Sequence, residues 1–323
     1  MATLELEDVS VTYRSTEGDV PAVRGVSLSV DAGRSLGLAG ESGSGKTTVT
    51  STVLRLLPKS ASVTGRVLLD GEDVLTMKWG RLRAVRWASA SVVFQGAMHA
   101  MNPVQRVGHQ IAEPIRLHER SVSESTARAR VGDLLEQVGL PSRVAQSYPH
   151  QLSGGQKQRV MIAMALACGP HLIVADEPTT ALDVMVQQQV LDVLTERVRD
   201  LGLAMVFISH DLSVLASTCD DLAVMYAGQV VEQGPSNQVF DDAHHPYSHA
   251  LGGAYPRIGD RRFRYAPSGL PGDPPFPGEA PSGCAFHPRC PEARDVCATT
   301  EVELRPSGDR RWSSCLFAPE VDA

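Results

Sequence analysis

Apolar and polar positions alternate over Leu4 to Arg14 and again over Ala22 to Val30, the period of half-buried strands, with a Gly18-containing turn between them. Ser35 to Ala39 is a short apolar strand running straight into a glycine-rich stretch, after which a helix is predicted from near Gly45 to before Pro58. Gly65 to Asp70 reads as a strand that turns at Asp70-Gly71, and Ser91 to Phe94 as another, ending at Gln95. From about 96 to 149 the period becomes helical. Ser121-x-x-Glu124 is a capping-box pattern, predicting a helix that runs to Gly139 with Val131, Leu134, Leu135 and Val138 on one face. Gln156 to Ala167 reads as a helix of small and apolar residues. A strand over Leu172 to Ala175, a helix from Val184 to Leu201 stopped by Gly202, and a strand over Leu203 to Ile208 follow. This alternation predicts an α/β fold with a largely parallel sheet, into which a helical lobe (about 96–160) is inserted.

Past Asp241 the pattern is lost. Pro267 to Pro291 is rich in proline and glycine and too irregular for a long element. The composition shift places a boundary near 240, dividing residues 1–240 from a small accessory domain over 241–323. The 323 residues suit one large domain or two ordinary ones, and 42% hydrophobic with 21% charged residues is the make-up of a globular chain with a core. A net charge of −7 argues against a general nucleic-acid binder, which shows a basic face. No apolar run approaches the ~20 residues needed to cross a bilayer. Met1-Ala2-Thr3-Leu4-Glu5 lacks a basic segment followed by an apolar one, so no secretory signal is expected. A cytoplasmic protein reaching the membrane only through a partner is the expectation. Its six cysteines are then thiols or metal ligands rather than disulfides.

Gly40-Glu41-Ser42-Gly43-Ser44-Gly45-Lys46-Thr47 fits G-x-x-x-x-G-K-[ST] and lies between a predicted strand and a predicted helix. Backbone N–H groups of such a loop point at phosphate oxygens, Lys46 brings a positive charge to the outer phosphates, and the Thr47 hydroxyl is a Mg²⁺ ligand candidate. Asp176 and Glu177 follow an apolar strand at its carboxyl end, where open parallel sheets place ligands. Asp176 suits Mg²⁺, and Glu177 suits orienting an attacking water, because phosphoryl transfer asks mostly for positioning. Either motif alone has a bland reading, a glycine loop or two solvated carboxylates. Leu152-Ser153-Gly154-Gly155-Gln156 offers a hydroxyl and close backbone approach at a helix start: an anion site with no lysine of its own.

These three segments in this order resemble the ATP-binding cassette (ABC) family over about residues 1–240. The resemblance implies a P-loop ATPase domain whose LSGGQ segment (Ser153, Gly154, Gly155 and Gln156) acts on ATP held by a facing second ATPase subunit. It implies further roles. Tyr13 stacks on adenine, Thr48 adjoins the phosphate loop, and Gln95 is the Q-loop glutamine contacting Mg²⁺ and water. Thr180-Ala181-Leu182-Asp183 is the D-loop, and His210 is the switch histidine on the γ-phosphate. No motif departs from the pattern, so ATP held here is expected to be hydrolysed.

His245-Pro246-Tyr247-Ser248-His249-Ala250-Leu251, Gly269-Leu270-Pro271-Gly272-Asp273-Pro274-Pro275 and Gly283-Cys284-Ala285-Phe286-His287-Pro288-Arg289-Cys290-Pro291 resemble the C-terminal region of dipeptide/oligopeptide importer ATPases, and the nickel importer subunits are similar. That group implies a partner ATPase, often non-identical so that a heterodimer is expected, two transmembrane permease subunits and an extracytoplasmic solute-binding protein. The chain would then sit peripherally on the cytoplasmic face of the cell membrane. A permease helix is expected against Gly96 to Glu113. Cys284, Cys290, Cys297 and Cys315 spell C-x5-C-x6-C-x17-C. Four thiolates suit a [4Fe–4S] cluster, which some relatives carry, or a Cys₄ zinc site with His287 as a substitute ligand. Rival readings are an ABC ATPase of translation or DNA repair, which typically has two cassettes or a coiled coil, and a non-enzymatic iron–sulfur or zinc module that retains a cassette. Peptide, nickel and other solutes are not distinguished.

Overall fold

The computed structural model describes residues 2–16, 18–94, 100–180, 182–254, 270 and 272–319. The chain divides into two compact units. The first comprises Met1–Leu4, Val30–Arg34 and Thr76–Val206, and the second Glu5–Ser29, Ser35–Leu75 and Phe207–Ala323. The boundary near 240 suggested by composition falls inside the second unit.

In the first unit, strands Ala90–Val93 and Leu172–Asp176 pair in parallel, Ala90 opposite Leu172 and Val93 opposite Ala175. All five residues of Leu172–Asp176 are buried, which is why this strand reads as a continuous apolar run rather than an alternating one. The helical lobe holds Val107–His118, Glu124–Gln137 and Gly154–Leu166, with Val184–Asp200 following the strand. Val131, Leu134, Leu135 and Val138 are buried, as the periodicity requires. The cap differs from expectation: Ser123, not Ser121, precedes the helix, its hydroxyl accepting from the Thr126 amide at 3.1 Å. The deciding feature is local, because Ser123 has the extended backbone of an N-cap directly before Glu124. Gln110, 4% exposed, has its amide spent on the preceding loop: it donates to Asn102 O and Gln105 O and accepts from Asn102 N, each near 3.0 Å.

In the second unit, strands Gly18–Asp31, Ala2–Ser15, Ala61–Leu69 and Glu72–Asp73 lie side by side in that order. Gly18 is part of a strand here. A second sheet runs Arg305–Gly308, Arg311–Ser313, Gln229–Pro235, Asp221–Tyr226, Ser35–Ala39. Among these strands Ser35–Ala39 and Asp221–Tyr226 pair in parallel, as the alternation predicts, while the strands beyond Asp221–Tyr226 add antiparallel pairs that it does not predict. The difference comes from a tight turn at Ala227 (φ 47°) and Gly228 (φ 84°), and from short polar C-terminal strands that carry no period-two signal. The helix after the glycine loop runs Lys46–Thr52, ending before Pro58 as expected. The Thr50 hydroxyl bonds back to the Lys46 carbonyl and the Thr52 hydroxyl to that of Val49, competing with the helical ladder in a β-branched run. Arg55 then takes φ 49°.

Buried charge fastens the C-terminal strands to the sheet. Glu232, fully buried, accepts from Arg311 Nη2 at 3.0 Å, from the His244 amide at 2.7 Å and from the His245 amide at 3.0 Å. Such a pair repays its desolvation only when every oxygen finds donors, and three donors from two segments do that here. Residues 305–313 are therefore part of the sheet.

Candidate nucleotide site

The phosphate loop runs from the buried strand Ser35–Ala39 into Lys46–Thr52. Its three glycines all have positive φ: Gly40 145°, Gly43 81° and Gly45 101°. At Gly40 a side chain would collide with the Met225 carbonyl, and at Gly45 it would stand 2.7 Å from the Ala22 carbonyl, so both the angle and the space demand glycine. The Gly228 amide donates to the Ser44 carbonyl at 3.1 Å, seating the loop on the 226–229 turn. Lys46, 7% exposed, donates from Nζ to Gly40 O at 2.7 Å, Glu41 O at 2.8 Å and Ser44 Oγ at 3.3 Å. This holds its ammonium over the loop, where an anion's oxygens would meet it. Thr47 is exposed, and the Tyr13 hydroxyl lies 3.3 Å from the Thr48 Oγ1 at the edge of the loop. His210, also exposed, lies in the bend after the strand that ends at Ile208 and before the helix Leu212–Thr218, whose N-cap is Asp211, with its carboxylate accepting from Ser213 N and Val214 N.

In the first unit, Asp176 closes its strand 7% exposed. Glu177 follows with φ 42°, a strained angle for a residue with a side chain, and its Oε2 accepts from the Thr180 hydroxyl at 2.9 Å. Strain at the one carboxylate suited to orienting water is where a constrained functional group is looked for. Ser153 N-caps Gly154–Leu166 in a full capping box: its hydroxyl accepts from Gln156 N at 3.3 Å, and its own amide donates to Gln156 Oε1 at 3.0 Å. Gly155 is required by packing, since a Cβ there would run into Val186 of the next helix. Asp183 caps that next helix, accepting from Val186 N at 3.0 Å. Gln95 and Ala181 lie outside the described residues.

Three residues missed in the sequence grip the phosphate loop from the C-terminal side. Arg289 makes two hydrogen bonds to the Glu41 carboxylate, 2.7 Å from Nη1 and 3.0 Å from Nη2, and the Tyr247 hydroxyl accepts from the Glu41 amide at 2.9 Å. Tyr226 completes the seat. Its ring lies 4.6 Å from that of Tyr247 and 5.3 Å from that of Phe286, and its hydroxyl accepts from Arg289 at 3.4 Å. The ion pair with Glu41 holds Arg289 more firmly protonated than an ordinary arginine, while burial pushes the Tyr247 phenol up. Glu41 and Arg289 are 248 positions apart, and no local pattern links them.

Cys284, Cys290, Cys297 and Cys315 all line one cavity of about 20 Å³, with Phe286 and His287 beside them. Burial raises the Cys284, Cys290 and Cys315 thiols, and the neighbouring thiols add to the effect. Four thiols on one apolar cavity are a donor set for soft-metal chemistry. Among the described residues, however, no three His, Cys, Asp or Glu side chains are grouped so as to hold a metal ion. Cys168 and Cys219 lie elsewhere, both pushed up by burial, Cys168 to about 11.

A strand–glycine loop–helix with a caged lysine, a buried strand ending in two carboxylates and a capped SGGQ helix define an ATP-binding cassette ATPase domain. The ABC transporter family matches residues 23–180, and the family of the oligopeptide/dipeptide transporter C-terminal region matches 231–297. The chain is 40% identical over 296 residues to the oligopeptide transport ATP-binding protein OppD of Salmonella typhimurium (91% of this chain, 88% of that protein). It is 41% identical over 320 residues to the dipeptide transport ATP-binding protein DppD of Escherichia coli (98% and 97%). It is 43% identical to OppD of Mycobacterium tuberculosis over 317 residues, 97% of this chain but only 51% of that protein, so it spans about half the length of that relative. Among solved structures, it resembles a dimeric post-hydrolysis state of the ATP-binding cassette MJ0796 bound to ADP and Pi, at 28% identity and TM-score 0.65, covering 72% of this chain and 98% of that one. CbiO1 from Clostridium perfringens, part of the transporter complex cbiONQ, is similar at 28% identity and TM-score 0.64 over 75% and 91%. The chain belongs to the ABC transporter ATP-binding proteins of the oligopeptide/dipeptide group. Among the described residues no helix is long and apolar enough to cross a membrane.

Proposed function

We propose that the chain hydrolyses ATP to drive an importer of di- or oligopeptides. The observation that carries this reading is about 40% identity, over nearly the whole length, to relatives named for oligopeptide and dipeptide transport, C-terminal region included. The loop amides and Lys46 hold the β- and γ-phosphates, and Tyr13 stacks on the base. Thr47, Asp176 and Gln95 serve Mg²⁺. Glu177 orients the attacking water, and His210 holds the γ-phosphate. Ser153, Gly154, Gly155 and Gln156 close on ATP bound by a second, homologous ATPase subunit, so that hydrolysis needs two subunits. Two permease subunits and an extracytoplasmic binding protein complete the importer, which places this chain peripherally on the cytoplasmic side of the membrane. The lobe residue Val104, 80% exposed beside the Gln110-braced loop, marks the surface proposed for the permease.

Cys284, Cys290, Cys297 and Cys315 are proposed as ligands of a [4Fe–4S] cluster, zinc being the alternative. The shared cavity and the purely thiol donor set support this reading. The group would act as a staple for an irregular segment.

The test is ATPase assay of the chain co-purified with its membrane partners. Lys46→Ala is expected to abolish turnover, and Glu177→Gln to accumulate ATP-bound dimers with turnover reduced more than about a hundredfold. Full turnover in Glu177→Gln would remove that residue from its role. Uptake of radiolabelled dipeptide against nickel by the assembled importer separates the two solute readings, and a brown, reductant-bleached preparation separates iron–sulfur from colourless zinc protein.

A further inference from the structure

The ion pair between Glu41 and Arg289 raises an electrostatic question that its geometry answers. A carboxylate in the second position of a phosphate-binding loop opposes the binding of a polyanion. Here that carboxylate is fully engaged. Its side chain is 23% exposed, and both its oxygens are bonded to the guanidinium of Arg289, whose side chain is 7% exposed. Arg289 is anchored in turn by the Gly272 carbonyl at 3.1 Å and by the faces of Tyr226 and Phe286 at 5.8 and 6.0 Å. The same Glu41 donates its amide to Tyr247 and offers its carbonyl to Lys46 Nζ, so one residue links the C-terminal segment to the catalytic lysine.

We propose that Arg289 is a positioning residue of the nucleotide site: it neutralises and pins Glu41, and so keeps the phosphate loop electrostatically open to ADP and ATP. The C-terminal segment thereby contributes to nucleotide affinity. This rests on the phosphate-loop reading given above. A purely structural Arg289 would serve only to dock residues 286–290, and its loss could not be relieved by altering the loop. Neutralisation predicts relief. With Arg289 gone, Glu41 becomes an uncompensated anion beside the phosphates; with Glu41 also gone, that repulsion disappears.

The experiment is equilibrium binding of a fluorescent ADP analogue (mant-ADP) to the full-length chain, with melting curves run alongside. Arg289→Gln is expected to weaken binding about tenfold, the size of one poorly screened charge several ångströms from an anion. Raising the salt should shrink that loss. Arg289→Lys should stay within about threefold of the parent, because it keeps the charge and loses only the fork geometry. Adding Glu41→Gln to Arg289→Gln should recover most of the lost affinity, and Glu41→Gln alone should not weaken binding. In ATPase assays Arg289→Gln should raise KM with kcat nearly unchanged. The proposal is overturned if the double substitution binds as poorly as Arg289→Gln, if Glu41→Gln alone weakens binding tenfold, or if Arg289→Gln has no effect. Should Lys46→Ala bind mant-ADP as tightly as the parent, the phosphate-loop reading itself fails and the proposal with it. Glu41→Gln keeps the test open where Arg289→Gln does not fold.

Discussion

His245 is an N-cap that the fold can use only while neutral. It is 1% exposed, its Nδ1 accepts from the Tyr247 amide at 3.0 Å, and burial depresses its pKa from 6.5 to about 3. An acceptor at Nδ1 is lost when the ring takes a second proton, so hydrogen bonding and burial act in the same direction. Because the folded pKa lies below the unfolded one, the unfolded chain binds more protons between pH 6.5 and about 3, and stability falls as pH is lowered through that window. Each pH unit inside it costs up to about 1.4 kcal/mol, so moving from pH 7 to pH 5 removes about 2 kcal/mol through this residue alone. His245→Asn keeps a capping acceptor and removes the titration. Urea unfolding at pH 7 and pH 5, followed by Trp312 emission with Trp79 and Trp87 replaced by phenylalanine, reads the second unit directly. The parent should lose about 2 kcal/mol more than the asparagine variant over that interval. Equal losses would mean that His245 is protonated inside the fold without penalty, and the account of its burial would be wrong.

Removing Arg311 strands a fully buried Glu232 with only two backbone donors, so Arg311→Met is expected to destabilise by about 3–5 kcal/mol, whereas Arg311→Met with Glu232→Leu should cost markedly less; urea midpoints decide it. Gly155→Ala drives a methyl group into Val186, costing about 1–3 kcal/mol, and Val186→Ala in the same chain should return most of the loss of melting temperature.

The phosphate loop, the Asp176-Glu177 pair and the LSGGQ helix could be read because each is a run of consecutive residues whose chemistry is local. Gly40 and Gly45 are dictated by positive φ and by nearby carbonyls, and Ser153 with Gln156 is a capping box that carries its own three-residue spacing. What escaped reading is fixed by distant partners. Arg305–Gly308 and Arg311–Ser313 are too short and polar to announce themselves as strands; what places them is a buried carboxylate some 80 positions earlier.

Glu41 makes the same point at the site itself. Taken locally, an acidic residue inside an anion-binding loop is a position where sequence and function disagree. Such disagreements mark either a tolerated defect or a compensating charge elsewhere. Here the compensation is visible: a bidentate guanidinium, stacked on two aromatic rings and supplied by the HPRC segment next to the thiol cavity. Arg289 directly precedes Cys290 and follows Cys284 by five positions, so whatever fixes those two thiols also fixes the base of the arginine. Electrostatics at the loop and order in the cysteine segment are thus mechanically one problem, and a chain that kept the glutamate while losing the arginine would carry the repulsion without its remedy.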